Sequence, residues 1–325
     1  MNRRRFSSAI AALGVWSQFG LSQAQQALPI VGILSGTNRD PRLIDAVQEG
    51  LKEAGFTDGR NVAIEFRGAE GHFDRLPALA ADLVQRRVSV IVAMQSANAP
   101  RAAKAAANAV PVVFCIGGDP VALGLVQSLS RPEGHVTGTT FLVNSLAGKR
   151  LELLREMLPS AATVGVLVNP KNPAAESELK DIHAAAAALR VKVAVRNAGS
   201  EREIDEAFAA FAQQRVNAVT FAADAVFNAR RKQVIALAAQ HRLVTMYFYR
   251  AFTDDGGLIS YGGHDTDSYR MAGVYAGRIL KGERPGNLPV QQSTKVELVI
   301  NMKTAKAAGV QIPPSLIARA DALID

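Results

Sequence analysis

Eight short apolar runs rich in β-branched residues, arranged as two sets of four, constrain the fold of this 325-residue chain more than any other feature. Within each set the runs lie about 23 to 32 residues apart, which is the spacing that a strand, a loop and a crossover helix require. A break of about fifty residues separates the two sets. The first set is Pro29–Leu34, Val62–Phe66, Val88–Ala93 and Val112–Cys115, and the second is Val164–Val168, Val191–Val195, Ala218–Phe221 and Leu243–Met246.

The segments between these runs carry helix signals. Asp40 and Pro41 predict a helix start, and apolar residues then recur at helical spacing until Gly55. Asp74 predicts the start of another helix, and Glu176–Leu189 begins with acidic residues and ends rich in alanine. Because near-continuous apolar strands alternate with helices, we expect an α/β fold with two doubly wound parallel-sheet lobes.

The first 24 residues have the pattern of a cleaved signal peptide. Three arginines at positions 3 to 5 precede an apolar stretch, and Ser22 and Ala24 fit a signal-peptidase site. The stretch is shorter than the ~20 residues of a membrane span, although an uncleaved anchor helix is an alternative. The arginines before Phe6 also fit the twin-arginine export pattern, so both export routes stay open. Cleavage would remove three arginines from a formal net charge of +8 and leave +5.

Polar, glycine-rich or aromatic residues follow most of the predicted strands. Open parallel sheets bind ligands at this end of their strands, where helix N-termini also present free N–H groups. Each residue is of a type common in caps and turns, so the set indicates a ligand cleft between the lobes more strongly than any member does. The candidate ligand-binding residues are Ser35, Gly36, Thr37, Gln95, Ser96, Gly117, Asp119, Asn169, Asp224, Tyr247, Tyr249 and Tyr261.

These candidates predict an amino-acid-like ligand or another small carboxylate. The loops Ser35–Thr37 and Gln95–Ser96 offer hydroxyls and backbone N–H groups without a cation, which favours a bound carboxylate. Asp224 has no basic neighbour in sequence before Arg230, so we expect it to receive an ammonium group. The three tyrosines are predicted to line an apolar side pocket, which suits an aromatic side chain.

Motifs of enzyme chemistry are missing from the sequence. The residues of Gly32–Gly36, GILSG, have neither the dinucleotide-binding spacing nor that of a nucleophile elbow, and no G-x-x-x-x-G-K-[ST] loop occurs. His264, Asp265 and Asp267 form a metal-like cluster, which we interpret instead as a polar loop before a helix that begins at Ser268. We therefore predict no enzyme activity, no cofactor and no metal.

Charge and cysteine usage exclude further classes of protein. The charges are dispersed and form no basic patch, so no nucleic-acid partner is predicted. Cys115 is the one cysteine, so the chain has no internal disulfide and no cysteine-based zinc or iron–sulfur site. We expect this thiol to be buried and inert.

The stretch CIGGDPVALGLVQSLSRPEGHVTGTT at Cys115–Thr140 resembles the signature of an ABC transporter substrate-binding protein family, similar to the tryptophan-binding lipoproteins. The resemblance covers nearly all of residues 28–325 and continues through Leu167–Pro173, Ala222–Leu243, Gly256–Gly262 and Ile279–Ile324. The sequence departs from the family pattern at Glu133, His135, Asp254, Asp255, Ser293 and Val296. None of these departures removes a binding role that we identify.

The resemblance implies a type I periplasmic-binding-protein fold, a Venus flytrap of two lobes that closes on one small solute. Three hinge crossings would lie near Phe141–Ser145, Gly262–Thr266 and Val290–Thr294. Lobe I would then comprise residues 28–143 and 267–291, and lobe II residues 144–266 and 292–325. The resemblance also implies a periplasmic monomer that delivers its solute to the membrane permease of an ABC importer.

Two other functions stay open on the sequence alone. One is a periplasmic sensor for a membrane signalling partner, which would use the same fold and the same cleft. The other is a secreted hydrolase using Asp224 or Asp119, although no nucleophile and base occur at a suitable spacing. A repressor would need a helix-turn-helix before the first strand, where this chain has its export signal.

Overall fold

The computed structural model describes residues 28–107, 109–141, 143–159, 163–263 and 265–325. The signal peptide predicted at residues 1–24 and the histidine at position 264 lie outside these ranges. The strands are β1 (Ile30–Ser35), β2 (Ala63–Gly68), β3 (Val90–Met94), β4 (Val112–Ile116), β5 (Val136–Thr140), β6 (Thr163–Val168), β7 (Lys192–Asn197), β8 (Ala218–Phe221), β9 (Val244–Tyr247), β10 (Ile259–Gly263), β11 (Gln291–Gln292), β12 (Val296–Asn301) and β13 (Ala322–Ile324).

Helices connect most of these strands. They are α1 (Pro41–Glu53), α2 (Leu76–Gln85), α3 (Asn98–Ala106), α4 (Ala147–Met157), α5 (Ala175–Leu189), α6 (Glu201–Gln213), α7 (Ala225–Ala229), α8 (Arg231–Gln240), α9 (Arg250–Asp254), α10 (Asp265–Leu280), α11 (Met302–Ala308) and α12 (Pro314–Arg319). Short 3₁₀ turns occupy Phe73–Arg75, Val143–Leu146 and Pro285–Asn287. Within the described ranges, none of the helices combines the length and the hydropathy of a membrane span.

Two sheets form the two lobes. Their strand orders are β11-β5-β4-β3-β1-β2 and β13-β12-β10-β9-β8-β6-β7. The predicted α/β class with two parallel-sheet lobes is confirmed, and at one edge of the second sheet two strands run in the opposite direction: β12 is antiparallel to β10, and β13 is parallel to β12. The strand order reverses between β1 and β3 in the first sheet and between β6 and β8 in the second, which are the points where such sheets bind ligands.

The apolar strands are buried on both faces. Alternate residues of β3 enter different hydrophobic clusters, with Val90 and Val92 in one and Ile91 and Ala93 in the other. The same alternation explains why these runs are almost continuously apolar. All eight predicted strands are present, with ends that differ by at most two residues.

Strand β5 was not predicted, because its sequence VTGTT holds a single aliphatic residue. All five of its residues are nevertheless buried. Its three threonine hydroxyls donate to backbone carbonyls of other segments: Thr137 to Leu288 at 2.6 Å, Thr139 to Ser268 at 3.0 Å and Thr140 to Gly118 at 2.9 Å. Satisfied hydroxyls remove most of the cost of burying this polar strand.

The chain passes between the two sheets after β5, after β10 and between β11 and β12. After the second passage, α10 packs along α1 in the first lobe, where a Cβ on Gly273 would overlap the carbonyl of Val47. This helix begins at Asp265, which corrects the start predicted at Ser268. Asp267 therefore lies within the helix rather than in a loop before it, where an acidic residue of the first turn is favoured by the helix dipole.

A buried ion pair fixes the first crossing to the second lobe. The side chains of Arg150 on α4 and Glu178 on α5 are fully buried, with Arg150 Nη2 2.7 Å from Glu178 Oε1. Arg150 Nη1 also donates to the carbonyl of Val143 at 2.9 Å. Glu178 accepts from Asn144 Nδ2 at 2.6 Å and from the N–H of Ala223 at 2.9 and 3.0 Å. The pair therefore joins the crossing, two helices and the loop after β8.

We expect Arg150→Met to lower the free energy of unfolding by about 3–5 kcal/mol, because the change leaves the Glu178 carboxylate buried without its cation. Lys149→Met is the matched control, since it removes an exposed partner of Glu152 and should cost less than about 1 kcal/mol. Urea unfolding followed by circular dichroism measures both variants. Equal losses for the two would contradict the structural role of the buried pair.

Candidate ligand-binding site

The two lobes and the first crossing enclose a small cavity of about 50 Å³. One wall comes from the carboxyl ends of β3 and β4, and the other from the loops after β6 and β8. Phe141, Val143 and Asn144 close the cavity along the crossing. Among the described residues that line it there is no lysine, arginine or histidine, and Asp224 is the one with a charged side chain.

The first-lobe wall is built at the β1/β3 switch point. The buried Ser35 donates its hydroxyl to Gln95 Oε1 at 2.6 Å and accepts from the N–H of Thr37 at 3.1 Å. The Ser96 hydroxyl accepts from the N–H of Asn98 at 3.1 Å, at the start of α3. Gln95 and Ser96 line the cavity. Ser35 does not line it but orients the side chain of Gln95 through their hydrogen bond.

The other first-lobe candidates are less central. Gly117 lines the cavity, but the buried Gly36 does not. Thr37 faces a separate groove of about 300 Å³ at the edge of the cleft. Asp119 is exposed and caps its own turn, with its carboxylate accepting the N–H of Val121 at 2.8 Å. The structure therefore corrects the prediction for Asp119, because its side chain serves the turn and lies outside the cavity.

The second-lobe wall carries a buried carboxylate at the β6/β8 switch point. Asp224 is 6% exposed, and its Oδ1 accepts from the N–H of Val226 at 2.8 Å and from Asn169 Nδ2 at 3.0 Å. Burial raises the pKa of Asp224 to about 6, against the opposing effect of these hydrogen bonds, and no cation is among the groups that shift this pKa. Asn169 lies behind Asp224 and faces the outer part of the cleft.

An aromatic set lines the cavity next to this carboxylate. The ring of Phe141 lies 5.9 Å from that of Tyr249 and 6.1 Å from that of Tyr269, measured between centroids. The three come from the first crossing, the loop after β9 and helix α10. Of the three predicted tyrosines, Tyr249 is the one that the structure brings to the cavity.

The predictions for Tyr247 and Tyr261 are corrected by the structure. Tyr247 is 1% exposed and packs against Phe221 and Phe252, with ring centroids 5.4 and 4.6 Å away, so it belongs to the core. Tyr261 lies opposite Leu298 on β12 and packs against the hydrophobic cluster of the second lobe that includes Leu298. Neither side chain is among those that line the cavity.

Several cavity residues were missed because they do not follow a predicted strand directly. They are Phe141, Asn144, Asn172, Asn228 and Tyr269. The predicted crossing at Phe141–Ser145 was itself a signal for the first two. Asn228 lies four residues after Asp224, a spacing that brings side chains to one side of a helix and that would have pointed to it.

A second buried carboxylate lies behind the cavity wall. Burial raises the pKa of Glu178 to about 7, while Arg150, the N–H of Ala223 and Asn144 act in the opposite direction and Asp224 adds repulsion. Asn144 thus connects the cavity to the buried ion pair. The described residues contain no cluster of metal-ligating side chains.

The chain matches known proteins over nearly its whole described length. Residues 28–324 match the sequence profile of a family described as ABC transporter substrate binding protein. A relative, the tyrosine-binding protein of Clostridioides difficile (strain R20291), is 25% identical over 264 residues, which are 81% of this chain and 75% of the relative.

Two solved structures share the fold, each with a TM-score of 0.83. One is a conserved domain protein from Vibrio cholerae, 26% identical, which covers 91% of this chain and 100% of that chain. The other is an ABC domain from Streptococcus pneumoniae in complex with L-Trp, 24% identical, which covers 92% of this chain and 100% of that chain.

We expect Gly117→Ala to hold the lobes apart, because a Cβ there would overlap the side chain of Val143. Opening would expose Cys115, which is fully buried and lines the cavity, so its reaction with a thiol reagent should quicken at least about tenfold. Gly118→Ala is the control, since a Cβ there would lie 3.2 Å from the flexible end of Leu123 and 3.6 Å from Asn144 Oδ1, without the overlap found at Gly117. Equal reaction rates in the two variants would contradict this role for Gly117.

Proposed function

This chain belongs to the ABC transporter substrate-binding protein family, and from that premise we propose that it captures a free amino acid between its lobes. Members and relatives of this family are solute-binding proteins and not enzymes. The amino acid would be delivered to the membrane permease of an ABC importer.

The observation that carries this proposal is the isolated charge of Asp224. A buried carboxylate without a cation is costly, and nearby amides offset only part of that cost. A ligand ammonium group would supply the missing charge. An amino acid brings such a group together with a carboxylate of its own.

The ligand carboxylate has a place opposite Asp224. The N-terminal end of α3 reaches the cavity at Ala97 on the first-lobe wall, and the described residues that line the cavity include no acidic side chain other than Asp224. Helix N-termini favour anions through their free N–H groups and dipole. Ser96 and Gln95 add polar groups on the first-lobe side.

The aromatic set of Phe141, Tyr249 and Tyr269 supports an aromatic amino acid as the solute. Two of the similar proteins point the same way, since one is a tyrosine-binding protein and another holds L-Trp. The cavity of about 50 Å³ is far below the ~300–1,000 Å³ of ordinary ligand pockets. Loading would therefore require the lobes to open at the three crossings and close again on the solute.

The predicted signal peptide supports a periplasmic location for this capture. Its cleavage would release the two lobes, a single polypeptide that we propose acts as a monomer. The binding residues proposed here are Gln95, Ser96, Gly117, Asp224 and Tyr249, with Ser35 and Asn169 as their supports.

The test is titration calorimetry with a panel of amino acids that includes L-tyrosine and L-tryptophan. We expect Asp224→Asn to weaken the tightest binder at least about tenfold, because the neutral amide no longer attracts its ammonium group. Asp119→Asn is the matched control and should change the affinity less than about twofold, because Asp119 is exposed outside the cavity. Unchanged affinity in Asp224→Asn would remove this carboxylate from the site.

We also expect binding to weaken about tenfold between pH 7.5 and pH 5. Because the pKa of Asp224 is raised to about 6, its carboxylate is mostly ionised at the higher pH and mostly protonated at the lower one. Asp224→Asn should lose this pH dependence, because its amide does not titrate in this range. A parent protein with the same affinity at both values would show that Asp224 does not titrate in the site.

A further inference from the structure

Asn228 has an unsatisfied hydrogen-bond acceptor at the cavity. Its side chain is 8% exposed, and its Oδ1 has no hydrogen-bond partner among the described residues. Asn228 lies on α7, and its backbone N–H donates to the carbonyl of Asp224 at 3.2 Å. One helical turn thus brings both side chains to the same wall of the cavity.

An unpaired buried oxygen requires an explanation, since almost all buried polar atoms in proteins find a partner. Asn172, on the same wall, shows the usual situation. Its Nδ2 donates to the carbonyl of Ala223 at 2.9 Å, and its Oδ1 accepts from the N–H of Ala174 at 3.0 Å. The contrast indicates that the Oδ1 of Asn228 is left to accept a hydrogen bond from a donor outside the protein.

Asn144 presents a second acceptor from the first crossing. Its Nδ2 donates to Glu178 Oε2 at 2.6 Å, which sets the orientation of the amide. Because Glu178 is itself held by Arg150 and the N–H of Ala223, that orientation is firmly fixed. Asn144 lines the cavity, and the hydrogen bond from its Nδ2 leaves its Oδ1 as the acceptor available to a solute.

We infer that Asp224, Asn228 and Asn144 form a three-oxygen acceptor that selects solutes with a primary ammonium group. This inference rests on the proposed function and narrows its substrate class. A primary ammonium has three N–H donors, one for each acceptor, and all three side chains line the same cavity of about 50 Å³.

A quaternary ammonium is the main competing ligand class, because the aromatic set could attract it through cation–π contacts. It has no N–H donor, so it would leave the amide oxygens of Asn228 and Asn144 unpaired. The unsatisfied oxygen of Asn228 therefore favours the primary ammonium.

The protein-side test is the variant Asn228→Leu, in which the new side chain has nearly the same size as the old one. Thermal unfolding without ligand measures its Tm, and calorimetry measures its affinity for the amino acid. We expect an unchanged or higher Tm, because an unpaired buried acceptor is removed, together with affinity at least about fivefold weaker. Asn172→Leu is the matched control and should lower the Tm, because it leaves the carbonyl of Ala223 and the N–H of Ala174 without their hydrogen-bond partner. A lower Tm in Asn228→Leu, or affinity within twofold of the parent, would overturn the inference.

The ligand-side test compares the affinities of L-tyrosine and L-tryptophan with those of their N-methyl and N,N,N-trimethyl derivatives. The same comparison is made for the amino acid of the panel that binds with the lowest Kd. We expect one methyl group to cost at least about fivefold in affinity and three to abolish measurable binding. An N-methyl derivative that binds within twofold of its parent amino acid would overturn the three-oxygen acceptor while leaving the proposed function intact. Failure of every amino acid to bind would overturn both.

Discussion

The buried pair of Arg150 and Glu178 is the interaction on which the site depends. Neither charge reaches water, so each needs the other and the surrounding hydrogen bonds to remain in place. Through Asn144 the pair holds the first crossing, and through the N–H of Ala223 it holds the residue that precedes Asp224. The position of the cavity carboxylate thus follows from an ion pair that no solute touches.

The two lobes use one architecture but contribute differently to the cleft. In the first lobe the switch point is bridged by the neutral bond between Ser35 and Gln95, and in the second by the bond from Asn169 to the carboxylate of Asp224. The first lobe therefore supplies neutral polar groups and helix N-termini. The second supplies the one charged side chain among the described residues that line the cavity, Asp224.

Periodicity predicted the fold well because six of the eight predicted strands are almost wholly buried and so are nearly continuously apolar, while the edge strands β2 and β7 keep enough β-branched residues to be recognised. It failed for β5, where hydroxyl–carbonyl bonds replace apolar side chains and leave no hydrophobic signal. The switch-point residues Gln95 and Asp224 were predictable because they follow strands directly. Tyr247 was not, because its strand continues one residue further and carries the side chain into the core. Tyr269 lies on α10, and its place at the cavity depends on long-range contacts that local sequence does not encode.

The threonine strand β5 has a mechanical consequence for opening. It leads into the first crossing, and its hydroxyls hold Ser268 just beyond the second and Leu288 just before the third. The first-lobe ends of all three connections are therefore bonded to one strand, so a change in the angle between the lobes would involve all three connections together.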